Sequence, residues 1–169
     1  WDILVYFNSA NPTTHFFCQW DFDKRWLLQV SSGALVWVAA QDGASLRRRF
    51  DSSSSIIQSA GWYRIIASWR GGSNKILLVN GVDKTSQLIE INADANSIAS
   101  SNTADYLQIG MVDGGDPLSG AVCFARAWKR GLSLPECLSL NANPRQVFPH
   151  GTIPLFFSTV TAQYARPVS

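Results

Sequence analysis

Hydrolysis of a glycosidic bond asks for two carboxyl groups flanking one sugar. They stand about 5–5.5 Å apart for retention of configuration and about 6.5–9.5 Å apart for inversion. The sequence holds two glutamates, Glu90 and Glu136, too distant along the chain to share a strand. Acidic residues at alternate positions of one strand would bring such a pair to one substrate. The nearest approach is Glu90-Ile91-Asn92-Ala93-Asp94, whose Asp94 is expected in a loop. Nucleophilic catalysis finds no better footing. The two histidines are His15, in an aromatic-flanked strand, and His150, between Pro149 and Gly151, and no G-x-S-x-G elbow occurs. Gly71-Gly72-Ser73 and Gly114-Gly115 lead to strands rather than to helix N-termini, so neither reads as a phosphate loop. The expectation is that the chain is not an enzyme.

Binding chemistry has more candidates. Val112-Asp113-Gly114-Gly115-Asp116-Pro117 is the best acidic loop, and oxygen ligands on a loop suit Ca²⁺. Two Asp supply few of the six to eight oxygens that Ca²⁺ takes, so a solvated turn is expected, with Asp113 and Asp116 as the ligands if the ion binds. Asp21 and Asp23, flanking Phe22, form a weaker pair. Leu46-Arg47-Arg48-Arg49-Phe50 is the basic run; in a strand Arg48 faces away from Arg47 and Arg49 and could meet an acidic neighbour or a polyanionic sugar. Of the seven Trp, Trp20, Trp26 and Trp37 have no evident core role, and one of them exposed beside a loop could stack on a sugar. Arg48 and Trp37 therefore join Asp113 and Asp116 as candidate ligand contacts. The cysteines, Cys18, Cys123 and Cys137, are odd in number and lack C-x-x-C spacing. They read as small buried hydrophobes, and unpaired thiols fit assembly in a reducing compartment.

The elements that must position these groups are mostly strands. The 169 residues fit one domain, and 46% apolar against 15% charged residues argues against disorder. A net charge of +2 gives no footprint for nucleic acid, and no apolar run is long enough to cross a bilayer. Short apolar segments alternate with turn signals. Strands are expected at Ile3–Phe7, His15–Trp20, Trp26–Val30, Ala34–Ala39, Leu46–Phe50, Trp62–Trp69, Ile76–Val79, Leu88–Ile91, Tyr106–Ile109, Ala121–Trp128 and Ile153–Phe157. Asp51–Ser55 reads as a polar loop, and Asn80-Gly81 as a tight type I′ turn. In Trp62–Arg70, alternation sends Ile65, Ala67 and Trp69 inward and Arg64 and Arg70 to water. One helix is expected, Leu134–Ala142, with Ser133 as N-cap and Glu136 as its capping-box partner.

Four segments carry a family resemblance. They are Gly61-Trp62-Tyr63-Arg64-Ile65-Ile66-Ala67-Ser68-Trp69, Lys75-Ile76-Leu77-Leu78-Val79-Asn80-Gly81, Leu107-Gln108-Ile109-Gly110 and the run from Gly120 through Ala127-Trp128-Lys129-Arg130-Gly131-Leu132-Ser133. In this order they resemble strands of laminin G-like domains of the concanavalin A-like superfamily, with Cys123 where an acidic residue is usual and Leu77 where an aromatic is usual. The resemblance implies an all-β, two-sheet antiparallel jelly-roll sandwich with one short helix, Trp62, Trp69 and Trp128 in the core, and further strands before Trp1. It also implies that Ca²⁺, where bound, lies at the sandwich rim. Leu140 to Phe148, with its Asn143-Pro144-Arg145-Gln146-Val147-Phe148, resembles a tail that follows such domains in bacteriophage structural proteins.

These readings divide the chain into a laminin G-like domain over 1–148 and a C-terminal strand and arm over 149–169. The expected function is a non-enzymatic structural or adhesion module of a bacteriophage virion, a capsid decoration or tail or fibre component assembled in the host cytoplasm. It would act by contact with other virion proteins or identical copies. Adjacent Phe156 and Phe157 would face opposite sides of a strand, so one of them, with Arg166, is expected to touch another chain or the strands expected before Trp1. The alternative is a carbohydrate-binding module for surface glycan, extracellular or on a cell surface; a glycan hydrolase is more remote.

Overall fold

Alternation of side chains explains most of the architecture. In the computed structural model, which describes residues 1–20, 25–42, 46–93, 107–110, 117–128, 130–145 and 152–155, the first strand, β1 (Asp2–Phe7), turns Ile3, Val5 and Phe7 into a core from which water is excluded. Asp2, Leu4 and Tyr6 face the other way, because successive side chains of a strand alternate. The further strands are β2 (Thr14–Trp20), β3 (Arg25–Ser31), β4 (Ala34–Asp42), β5 (Leu46–Ser55), β6 (Gly61–Trp69), β7 (Lys75–Val79), β8 (Val82–Asp83), β9 (Leu88–Ala93), β10 (Leu107–Ile109), β11 (Gly120–Trp128) and β12 (Thr152–Leu155). A 3-10 turn at Thr85–Gln87 precedes β9, and the helix α1 spans Leu134–Ala142.

The strands form two six-stranded antiparallel sheets. Sheet A has the order β12-β11-β1-β6-β7-β8, and sheet B the order β10-β2-β3-β4-β5-β9. Ile3, Val5, Phe7, Ile65, Ala67, Leu77, Val79 and Ala125 from sheet A share one core with Phe16, Leu28, Val30, Leu35, Trp37, Phe50 and Leu88 from sheet B. The described residues thus form an all-β sandwich with one short helix.

Register is pinned by turns and bulges. Asn80 and Gly81 both take the left-handed conformation, at φ 50° and 79°, as the two-residue type I′ turn between β7 and β8 requires. A bulge in β11 opposes Leu4 with Phe124 but Val5 with Val122, so Cys123 is the extra residue. That bulge places Phe124 and Arg126 on the outer face and Val122 and Ala125 on the core side.

Three sequence expectations change. Asp51–Ser55 is not a loop: β5 runs on to Ser55, and an irregularity in its pairing with β4 accommodates the serines. Ser52 is buried there, its hydroxyl accepting from Leu35 N at 2.9 Å and donating to Ser54 O at 2.7 Å. Secondly, the Arg64 face of β6 does not meet water. α1 lies over it, packing Cys137 and Leu140 with Leu132 against Ile66 and Leu78, so that sheet A is covered on both faces at this end. Thirdly, Trp62 is not a core residue; 49% of it is exposed. The strand expected over Ile153–Phe157 is described over Thr152–Leu155, where it pairs with β11 at the edge of sheet A.

The helix begins as its sequence dictates. The Ser133 backbone N–H donates to Glu136 Oε2 at 2.7 Å and the Glu136 backbone N–H to the Ser133 side chain, the two bonds of a capping box, and the Ser133 hydroxyl also donates to Oε2 at 2.9 Å. Pro144, just past the last turn, stops it.

Candidate functional site

Charge on the outer face of sheet A is concentrated at one point. Asp2 on β1 lies opposite Arg126 on β11 and diagonal to Arg64 on β6, whose register partner is Leu4. Adjacent strands therefore bring the three groups to one place. Arg64 donates from Nε to Asp2 Oδ1 at 3.0 Å and from Nη2 to Oδ2 at 2.8 Å. Arg126 Nη2 also donates to Asp2 Oδ2. The carboxylate is fully buried, and the guanidiniums of Arg64 and Arg126 are 8% and 2% exposed as residues. Two cations around one anion leave an excess positive charge, and main-chain carbonyls meet it. Arg64 Nη1 donates to Asn141 O at 3.2 Å, and Arg126 Nη1 to Pro144 O at 2.6 Å. The Phe124 ring adds its π face, 4.6 Å from the Arg126 guanidinium carbon and 5.5 Å from that of Arg64. This cluster latches the end of α1 and the turn after it onto the sheet. Its groups have partners and little solvent access, so it is a structural device.

One row further along the same face the covering ends. Tyr6 lies opposite Trp62 on one side and Ala121 on the other. The Tyr6 and Trp62 rings are tilted at 60° with centroids 5.4 Å apart. At the ends of the neighbouring strands, Asn8 Nδ2 donates to Ser119 Oγ at 3.3 Å, and Asn80 Oδ1 accepts from Arg64 N at 2.7 Å. An exposed tryptophan braced by a half-buried tyrosine presents a flat apolar face at low entropic cost, the property that suits Trp and Tyr to interfaces.

The residues singled out from sequence fall elsewhere. Trp37 is 1% exposed, packed against Phe50 at 5.3 Å between ring centroids, and so offers no stacking face. Arg48 is 4% exposed and paired with Glu90, so the acidic neighbour it meets is in its own chain. Arg49 pairs with Asp51 on the same strand, at 2.7 Å, and that contact raises the guanidinium pKa. Glu136 is held by Arg130 at 2.6 Å and by the Ser133 amide, and these bonds bring its pKa down to about 2. Glu90 and Glu136 are thus each committed to an arginine. Trp69 is half-buried against the core, donating from Nε1 to Gly72 O at 2.8 Å, and Trp128 flanks the helix cluster. Asp113, Asp116, Asp21, Asp23, Asp94, His150, Phe156, Phe157 and Arg166 lie outside the described residues. Among the described residues, no three of His, Cys, Asp and Glu converge as a metal-ligand set, and no helix is long and apolar enough to cross a membrane.

Sequence reasoning missed Asp2, Arg126 and the exposure of Trp62. The signal for Trp62 was present: it shares its strand face with Arg64, which alternation assigns to the outer side. Compared with models of protein families and with curated proteins, the chain matches none.

Proposed function

We propose that the chain is a jelly-roll sandwich of the concanavalin A-like, laminin G-like type that works without catalysis, as a structural or adhesion module. The observation that carries this reading is the exposed Trp62 braced on Tyr6. A large aromatic left half in water on a sheet face, beside a region that a helix has sealed, is the usual form of a contact anchor. The four strand motifs support the fold family, and the Asn143-Pro144 tail supports a place in a bacteriophage virion, with other virion proteins or identical copies as partners. The partner contact extends to Phe156, Phe157 and Arg166 in this proposal, and the module assembles in the host cytoplasm.

The test is a photo-crosslinking residue at position 62 in assembled particles, with Trp62→Ala beside it. Crosslinks to a virion protein or a second copy, together with reduced incorporation of a Trp62→Ala chain that still folds, support the reading. Normal incorporation without crosslinks rejects it. A second reading has the same anchor. The exposed Trp62 is braced by Tyr6, and an exposed aromatic face can stack a pyranose. Saturable glycan binding that Trp62→Ala abolishes would favour a carbohydrate-binding module, extracellular or on a cell surface.

A further inference from the structure

At the far end of β6 from Trp62, the turn into β7 borders a cavity of about 360 Å³, lined by Arg70, Asn74, Lys75 and Ile76. Its volume falls in the lower part of the range for small-molecule sites, about 300–1,000 Å³. What distinguishes it is charge that meets no carboxylate among the described residues. Arg48, Arg49, Arg64, Arg126 and Arg130 each have a carboxylate in contact, from Glu90, Asp51, Asp2 or Glu136. Arg70 and Lys75 have none among the described residues, although they line one cavity together.

The turn that carries them is closed by main-chain bonds. Arg70 N donates to Asn74 O at 2.9 Å, closing the turn, and Asn74 N donates to Gly71 O at 3.1 Å. Gly131 lies so close that a Cβ there would overlap the Trp69 carbonyl oxygen and the Arg70 side-chain stem, so the arginine emerges from beneath the segment that leads to α1. The Lys75 ammonium rests 5.0 Å from the centre of the Phe50 ring at the junction of the two sheets. The lining residues bring a guanidinium-, an ammonium- and a carboxamide-bearing side chain to one turn, a set of donor types suited to an oxyanion. Ile76 contributes an apolar wall for the body that carries it.

We infer that this cavity binds a small molecule bearing a carboxylate or phosphate group, with Arg70 and Lys75 as its charge partners and Asn74 as a neutral polar one. The site is separate from the Trp62 surface and does not depend on it.

The test is an NMR titration of the whole chain with galacturonate, inorganic phosphate and neutral galactose. Saturable shifts of the Arg70–Ile76 amides with either anion, absent with galactose and weakened by added salt, are expected. Arg70→Gln and Lys75→Gln should each weaken binding about tenfold, the size of one charge-assisted hydrogen bond, while Lys75→Arg keeps most of it. Preference for galacturonate assigns a sugar acid, and preference for phosphate a phosphorylated ligand. No shift with either anion, equal shifts with galactose, or unchanged affinity in both Gln variants overturns the inference. Arg70 is exposed and Lys75 lies at the start of a strand, and an unchanged melting temperature confirms that each variant is folded.

Discussion

Arg64 grips Asp2 with two parallel hydrogen bonds, 3.0 Å from Nε and 2.8 Å from Nη2, across the β1–β6 ladder and under the end of α1. Burial largely offsets the attraction of such a pair with desolvation, but makes breaking it damaging, because the remaining charge keeps its desolvation cost. Asp2→Asn should therefore destabilise the fold by about 3–5 kcal/mol, since it strands two buried guanidiniums. Arg64→Ala should cost on the order of 3 kcal/mol, whereas Arg70→Ala, just past the end of β6 and exposed, should stay within about 0.5 kcal/mol. Urea unfolding of the three variants checks this. Equal, small losses at Arg64 and Arg70 would mean that the helix does not seal the face.

Acid should loosen the helix start. The Glu136 pKa is down to about 2, through Arg130 and then the Ser133 amide, against an ordinary value of 4.5. A depressed carboxylate contributes stability above its unfolded pKa and loses it as pH falls, here between about 4.5 and about 2. Glu136→Gln should remove that component at neutral pH, a loss of about 1 kcal/mol typical of a cap. It should also flatten the stability profile in that acid window. A profile identical to that of the parent chain would show that the Arg130 contact is screened away.

Two tryptophans should separate cleanly. Trp37→Ala empties a fully buried site and should cost about 3–5 kcal/mol. Trp62→Ala removes an exposed ring and its edge contact with Tyr6, so about 1 kcal/mol is the upper bound. Thermal denaturation of both variants gives the comparison. A large loss at Trp62 would make it a structural residue and withdraw the anchor.

Added Ca²⁺ should leave the melting temperature where EDTA leaves it. A ligand that binds the native state alone raises apparent stability by linkage, so the comparison is sensitive. A rise with Ca²⁺ that Asp113→Asn abolishes would place the ion in the Asp113–Asp116 loop.

The Cys137 thiol should resist modification. Burial pushes its pKa up to about 11, which leaves almost no thiolate near neutral pH. Folded protein should react with a thiol reagent at Cys137 only as fast as α1 lifts from the sheet, and Asp2→Asn should accelerate that reaction. Rapid labelling of the parent chain at Cys137 would contradict the packing of the helix.

The strands were legible because period-two alternation and the turn residues act locally. Ile3, Val5 and Phe7 announce their inward face, and Asn80-Gly81 its turn, without reference to anything distant. The helix start was legible for the same reason, since Ser133 and Glu136 are three residues apart. Local rules fail where distant chain decides. Alternation gives Arg64 the side away from the core, and that remains correct; what lies on that side is an element whose Asn141 carbonyl is 77 positions later. Trp62 was misplaced for a different reason. A strand motif associated it with a core, against the periodicity that puts it beside Arg64. The serines at 52–55 misled because their turn preference is a tendency of free chain, overridden once β4 offers a ladder to join. The cationic cavity had no linear signature, because Arg70 and Lys75 line one space only when the β6–β7 turn closes.

The place of β1 in sheet A bears on how the chain acquires its structure. β1 lies between β6 and β11, so its Asp2 waits for Arg64, 62 positions on, and for Arg126, 124 positions on. Sheet B, by contrast, joins β2, β3, β4 and β5 in succession through neighbouring hairpins. Sheet B can form early while β1, apolar on one side and with both edges open, stays unmatched until β6 and β11 have been made. Loop closure over such separations is slow, which places folding toward the millisecond-to-second end of the range for small domains. During that interval β1 is the segment most open to misassociation with other nascent copies.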